Sequence, residues 1–156
     1  MANSDLQAIR NASKMCNEDI LINAGFVKVG NSSLYRKNDT LYAFSPGIGR
    51  GQHGKYWFDI RLANLQKIAT VSEPRAWVLL RIVPNWFSFF TLARIQEHMK
   101  RNTQDDRAHS GKVWGFYCEL DEESRNIEIF PKNQKAASFN TELLDRTRAE
   151  AALAEI

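Results

Sequence analysis

The sequence predicts a single domain, residues 1–156, of the α/β or α+β class, with helices flanking a central mixed sheet of about five to seven strands. Segments with apolar residues at alternate positions, typical of strands, lie between segments with helical spacing. The length of 156 residues allows a substantial core, and 44% hydrophobic with 25% charged residues is an ordinary globular composition. No repeat, low-complexity tract or interdomain linker divides the chain.

The elements follow one another in the order helix, strands, helix, strands, helix. The predicted strands, which alternate or are continuously apolar, are residues 25–30, 33–37, 40–45, 55–62, 76–83, 86–92, 113–120 and 126–130. The predicted helices are residues 4–24, 62–69, 92–101 and a last helix from Asn140 or Thr141. The predicted loops are the glycine-rich residues 45–54, which we expect to be flexible, and the polar residues 102–112 and 131–138.

The strand after the glycine-rich loop, KYWFDIRL, has two unlike faces. One face carries only apolar or aromatic side chains, those of Tyr56, Phe58, Ile60 and Leu62. The other face carries a tryptophan and three charged side chains, those of Lys55, Trp57, Asp59 and Arg61. This second face is either a metal-and-phosphate site or the solvated side of a sheet.

The charges are unevenly placed, although the formal net charge is only +3. Seven lysines and arginines against two aspartates lie between Lys28 and Lys67, whereas residues 119–128 hold five acids and one arginine. Cations bind phosphates and aromatic rings stack on unpaired bases, so this basic segment predicts nucleic-acid binding, with DNA favoured over RNA. The candidate nucleic-acid contacts are Arg36, Lys37, Arg50, His53, Lys55 and Trp57.

Asp59 and Arg61 form an acid–base pair that could serve a phosphodiester hydrolase. An acid can hold a divalent cation that polarises a phosphate and activates water, and a neighbouring base can steady the developing charge. Glu18 on the first helix, Asp39 after the first strand, and Asp59-Ile60-Arg61 follow in order. This order resembles the PD-(D/E)XK superfamily of restriction-endonuclease-like nucleases.

The resemblance covers roughly residues 15–100 and implies a restriction-endonuclease-like fold, metal-dependent endonuclease activity and Mg²⁺ as cofactor. It implies that Asp59, with Asp39 or Glu18, holds the metal ion. It further implies that Arg61 and Lys55 contact the scissile phosphate and that the active protein is a homodimer. The candidate catalytic residues are Asp59, Arg61, Asp39 and Glu18, and the candidate metal ligands are Asp59 and Asp39.

Two departures from the family pattern concern the acid at the first position and the final base. Asn38 precedes Asp39 where the family has proline, and Arg61 stands where the family has lysine. Arginine does not readily give up its proton, so Arg61 suits phosphate binding better than activation of water. An inactive descendant that binds nucleic acid is therefore compatible with the same residues.

Other interpretations remain open at this point. Asp59 and Arg61 also fit an ordinary surface ion pair, and Asn38-Asp39 is good turn chemistry. The same basic face would serve a non-enzymatic nucleic-acid-binding or protein-interaction module, and the acidic residues 121–123 would serve an interaction protein. The two distant cysteines, the lack of a secretion signal and the lack of any run of roughly 20 apolar residues predict a cytoplasmic protein without a membrane partner.

Overall fold

The computed structural model describes residues 19–50, 55–82, 86–100, 103–132 and 134–156. These residues contain eleven strands and four helices. The strands are β1 (Val27–Lys28), β2 (Leu34–Arg36), β3 (Leu41–Phe44), β4 (Gly49–Arg50), β5 (Tyr56–Arg61), β6 (Arg75–Ile82), β7 (Trp86–Thr91), β8 (Gln104–Arg107), β9 (Gly111–Asp121), β10 (Asn126–Pro131) and β11 (Phe139–Glu142). The helices are α1, described over residues 19–23, α2 (Leu62–Ala69), α3 (Leu92–Gln96) and α4 (Arg146–Ala154), with a 3-10 turn at Lys135–Ala137.

The first sheet is mixed and has the spatial order β1-β2-β3-β6-β7. Strands β3 and β6 are parallel, and the other neighbours are antiparallel. The predicted hairpin of residues 33–37 and 40–45 is confirmed as β2 and β3. Its turn is closed by the Asn38 side chain, whose Oδ1 accepts hydrogen bonds from the backbone N–H groups of Thr40 and Leu41, each at 2.9 Å.

The second sheet is antiparallel and has the order β11-β10-β9-β5-β4. Strand β8 also pairs with β9, along residues 111–114, whereas β10 pairs along residues 116–121. Because β5 occupies the opposite side of β9 over residues 113–118, β8 and β10 lie end to end on one side of β9. Gly115 of β9 lies at the junction between them.

The main core lies between the two sheets. Phe58 of β5 and Phe116 of β9 are fully buried there, and their rings stack with centroids 5.4 Å apart. Val78 and Leu80 enter the same core from β6. The neighbouring side chain on β6, Leu79, points to the other face of the first sheet, so β6 is buried on both faces, as its continuous apolar run predicts.

A second apolar cluster covers the remaining face of the first sheet. Ile20 and Leu21 of α1 pack there with Ala149 and Leu153 of α4. The order of layers is therefore α1 with α4, first sheet, core and second sheet, and α2 and α3 contribute side chains to the core. The second sheet has another face, which points away from the core. None of the described helices contributes to the two clusters from that face.

Several predictions about elements are corrected by the structure. The expected single central sheet of about five to seven strands is instead two sheets, of which only the first is mixed. Within the predicted flexible loop of residues 45–54, Gly49–Arg50 forms β4 and pairs with β5, while residues 51–54 lie outside the described residues. Alternation assigns side chains to faces of a strand, but it does not say which strands pair, so it could not separate the two sheets.

The second predicted loop and the final helix also change. Residues 104–107, expected in a polar loop, form β8, whose backbone pairs with β9. The sequence of β8 has no apolar alternation that would mark it as a strand. Residues 140–142, expected to begin the last helix, instead belong to β11, which pairs with β10. The helix begins at Arg146, because Asp145 is its N-cap and its carboxylate accepts a hydrogen bond of 2.9 Å from the backbone N–H of Arg148.

In the part of the chain that the structure describes, no helix combines the length and the apolar character needed to cross a membrane.

Candidate functional site

The face of the second sheet that points away from the core is here called the outer face. It carries the tryptophan and the aspartate of β5. Trp57 lies opposite Tyr117 of β9, and Asp59 lies opposite Gly115. Directly opposed positions in an antiparallel pair share one face, so these four residues form a compact group. The sequence prediction that Trp57 and Asp59 point away from the apolar face of β5 is confirmed by the burial of Phe58 on the core side.

Trp57 is held against the edge strand β4 by a close approach to Gly49. A Cβ atom added to Gly49 would lie 2.3 Å from Cε2 of the Trp57 indole and 2.6 Å from its Nε1. No side chain fits at position 49 while the indole stays in place. Glycine at this position therefore sets where the indole lies.

Asp59 forms a partly buried ion pair with Arg107, which β8 supplies. The Oδ2 atom of Asp59 accepts a hydrogen bond of 2.5 Å from Nη1 of Arg107, and the side chains are 16% and 31% exposed. The other carboxylate oxygen, Oδ1, is buried without a hydrogen-bond partner. A second acid, Asp105, lies 3.8 Å from Nη2 of Arg107 and is 52% exposed.

Burial raises the pKa of Asp59 above its ordinary value of 3.8, because a charged carboxylate is poorly solvated beneath its neighbours. The positive charges of Arg107, Lys132 and Arg61 oppose this effect and lower the pKa, but they do not outweigh it. The nearby negative charge of Asp105 adds a smaller increase to the pKa. The Asp59 carboxylate thus has three cations nearby, but its ionised form is still less favoured than it would be in water.

Gly115 provides the space in which this cluster forms. A Cβ atom at this position would lie 3.0 Å from Cδ of Lys132 and 3.4 Å from Oδ1 of Asp59. The backbone N–H of Lys132 also donates to the carbonyl of Gly115 at 3.1 Å, which brings the chain after β10 back over the junction in the sheet. Residues from three strands and a turn therefore meet above Gly115.

Lysines cover the aromatic rings of this face. The Lys132 ammonium lies 5.8 Å from the ring centroid of Tyr117. Lys55 and Lys135 lie 5.9 Å and 5.6 Å from the ring of Phe130, and both also pair with Glu119, at 3.7 Å and 3.2 Å. Cations and aromatic rings are thus interleaved across the outer face.

The structure distributes the residues predicted from sequence between two separate places. Lys55, Trp57, Asp59 and Arg61 lie on or beside the outer face of the second sheet. Arg36, Lys37 and Asp39 lie in the β2–β3 hairpin of the first sheet, whereas the backbone of Arg50 lies on β4, the edge strand of the second sheet that pairs with β5. The predictions for Glu18 and His53 fall outside the described residues, as does the side chain of Arg50.

Lys37 and Asp39 are therefore not neighbours of Asp59. The Lys37 ammonium lies 6.0 Å from the ring of Phe26 in the first sheet's helix-covered region. Asp39 is exposed in the hairpin turn and makes no contribution to the shifted pKa of Asp59. The pair of aspartates expected to share a metal ion is not brought together, because β3 and β5 join different sheets.

Among the residues that the structure describes, no three histidine, cysteine, aspartate or glutamate side chains converge in a way that could hold a metal ion. The other predicted ligand, Glu18, is outside these residues. Mg²⁺ binding by Asp59 stays a prediction.

Sequence reasoning missed four residues of the site: Tyr117, Gly115, Arg107 and Lys132. Tyr117 lies in a predicted strand, but its opposition to Trp57 depends on strand pairing. Arg107 lies in a predicted loop, although Ser110-Gly111 after it is a turn signal and Gly111 has φ +68°. That turn could have indicated a hairpin, but not that its first strand would reach Asp59.

Comparisons of the chain with protein-family models, curated proteins and solved structures find no match.

Asp59→Asn is expected to raise the free energy of unfolding at neutral pH. Because the pKa of Asp59 is raised on folding, the folded state binds a proton more readily than the unfolded chain. The stability contribution of Asp59 therefore falls as pH rises from below 3.8 through the raised pKa of the folded state. Asparagine is neutral throughout, so urea unfolding across this range should show a difference between the two proteins that appears as pH rises.

The matched control for this measurement is Asp105→Asn, which removes an acid that is 52% exposed beside the same arginine. The free energy of unfolding of Asp105→Asn should depend on pH nearly as that of the native protein does. A lower stability of Asp59→Asn than of the native protein at neutral pH would show that the ion pair with Arg107 outweighs the cost of burial.

Proposed function

We propose that this protein binds single-stranded nucleic acid on the outer face of the second sheet. The observation that carries this proposal is the opposition of Trp57 and Tyr117 on neighbouring strands, with the Lys132 ammonium 5.8 Å from the centroid of the Tyr117 ring. Two half-buried rings fixed on adjacent strands form a surface on which bases can stack.

The charges around these rings favour a polyanion. Five cations approach the Tyr117 ring, the neighbouring Phe130 ring or the Asp59 carboxylate, and the three acids that pair with them leave an excess of positive charge. The cations are Lys55, Arg61, Arg107, Lys132 and Lys135, and the acids are Asp59, Asp105 and Glu119. Lysine and arginine that neutralise phosphates supply affinity that does not depend on sequence.

A single strand fits this surface better than a duplex does. In a duplex the flat faces of the bases are stacked on one another, whereas an unpaired base can place its face on an aromatic side chain. Trp57 and Tyr117 are both partly exposed, and they lie opposite each other on the outer face of the second sheet. The proposal therefore concerns contacts to unpaired bases and to the phosphates between them.

The test compares three tryptophan and tyrosine variants in binding to a fluorescently labelled oligothymidylate and its RNA counterpart. Trp57→Ala and Tyr117→Ala should each weaken binding by about 1–3 kcal/mol, the usual contribution of one stacked base. Trp77→Ala is the matched control, because Trp77 is half-buried and stacks on Phe89 at 4.7 Å on the helix-covered side of the first sheet. Equal affinities for all three variants would refute the proposed surface.

Cleavage is a separate proposal that follows from the resemblance to nucleases. Asp59 is the residue on which it depends, and the same preparations test it when plasmid and single-stranded substrates are incubated with Mg²⁺ or EDTA. Cleavage that requires Mg²⁺ and disappears in Asp59→Ala would add catalysis to the binding function. Binding without cleavage in either condition would leave a nucleic-acid-binding module.

A further inference from the structure

We propose that Arg107, Lys132 and Arg61 form a binding site for one phosphate group, and that the Asp59 carboxylate occupies this site in the free protein as an internal anion. The inference deepens the proposed function and rests on it for the source of the phosphate, which is the backbone of a bound single strand. It assigns Asp59 the part of a competitor for the site rather than that of a metal ligand.

The geometry of Arg107 is suited to exchange one anion for another. A guanidinium donates through a planar fork that matches a carboxylate or a phosphate equally well. In the free protein Nη1 of Arg107 donates to Asp59 at 2.5 Å, while Nη2 is 3.8 Å from Asp105. The Arg107 side chain is 31% exposed, so a phosphate in solution can reach it without unfolding of β8.

Asp59 is an incomplete partner for these cations. Its Oδ1 atom is buried and accepts no hydrogen bond, so only one of the two carboxylate oxygens is satisfied. Burial also raises the pKa of Asp59 against the combined effect of Arg107, Lys132 and Arg61. A phosphodiester can stay partly in solvent while it contacts the guanidinium, which is 31% exposed.

The site adjoins the stacking surface directly. Lys132 lies over Gly115 with its stem and over the Tyr117 ring with its ammonium, so it links the cation cluster to one of the two rings. Trp57 and Asp59 are alternate residues on the same face of β5. A phosphate held at Arg107 is therefore next to a base that stacks on Tyr117 or Trp57.

The decisive comparison is between Asp59→Asn and Asp105→Asn, which make the same change in charge beside the same guanidinium. Asp59→Asn should increase affinity for labelled oligothymidylate roughly tenfold, because the internal competitor is removed and one charge-assisted contact becomes available. Asp105→Asn should have a much smaller effect, because Asp105 is more exposed and 3.8 Å from the guanidinium. Equal gains would show an effect of net charge alone and would overturn the inference.

Arg107→Ala provides the complementary measurement. It should lower affinity and should reduce the slope of log K against log salt by about 0.7, the value for one phosphate contact in a single strand. Arg75→Ala is the control, since Arg75 is an exposed arginine at the start of β6 and its loss changes the net charge equally. An unchanged slope in Arg107→Ala would contradict the site.

Failure of this inference can be distinguished from failure of the proposed function. If Trp57→Ala weakens binding while Arg107→Ala matches Arg75→Ala, the stacking surface stands and the phosphate site does not. If no oligonucleotide binds, inorganic phosphate is titrated against the protein and Arg107 Nε–H resonances are followed by NMR. A shift that is stronger in Asp59→Asn would support the site without nucleic acid, and no shift would refute both.

Discussion

Phe58→Ala is expected to lower the free energy of unfolding by about 3–5 kcal/mol, which is the usual cost of emptying the space of a buried phenylalanine. Phe58 is fully buried between the two sheets, and its ring stacks on Phe116 with centroids 5.4 Å apart. No water can fill such an apolar space favourably, so the loss includes both the burial of the ring and the cavity that remains. Urea unfolding at neutral pH measures the loss.

The control for this prediction is Phe89→Ala. Phe89 also stacks on an aromatic ring, that of Trp77, but it is half-buried on the helix-covered face of the first sheet. Its removal should cost clearly less than the removal of Phe58, because solvent can occupy part of the space. Equal losses would mean that the region between the sheets is not the main core.

Gly49→Ala is expected to weaken binding of single-stranded nucleic acid about tenfold, which corresponds to the loss of one stacked base. The added Cβ would lie 2.3 Å from Cε2 of Trp57, a distance that real Cβ contacts do not adopt, so the indole must move. The change leaves Trp57 itself in the chain and tests its position alone. Fluorescence anisotropy gives the affinity, and the tryptophan emission spectrum reports the movement.

Gly47→Ala is a close control for this substitution, two residues earlier in the same segment. A Cβ atom at Gly47 meets no atom within 4 Å, so the variant should bind as the native protein does. If Gly49→Ala and Gly47→Ala bind equally well while the emission of Gly49→Ala changes, then the position of Trp57 is irrelevant to binding. That result would remove the main support for the proposed surface.

The parts of the fold that depend on local pattern could be predicted from the sequence. The alternation in β5 placed Phe58 in the core and left Trp57 and Asp59 on the other face, as the structure confirms. The side-chain chemistry of Asn38 likewise predicted the turn of the β2–β3 hairpin. Each of these features is decided by neighbours in sequence, because side-chain direction on a strand and turn closure are local properties.

The parts that depend on distant pairing could not be predicted in this way. Arg107 reaches Asp59 from 48 residues further along the chain, and β8, which carries it, has no apolar residue to mark it as a strand. The sequence shows a glycine at position 115, but it does not show why glycine is needed there. The need arises from the close approach of Asp59 and Lys132. The prediction that Asp39 and Asp59 act together also depends on which sheet each strand joins, and the order of residues in the sequence does not give that information.

The parallel pairing of β3 with β6 has a consequence for the order in which the molecule can assemble. Parallel neighbours require a long connection, and here that connection contains β4, β5 and α2, so a strand of the second sheet is built between two strands of the first. Strand β5 pairs with β9, which is translated about 50 residues later. The outer face that these two strands share cannot form before β9 is present. The surface that we propose for nucleic acid is therefore absent from a nascent chain that ends before β9.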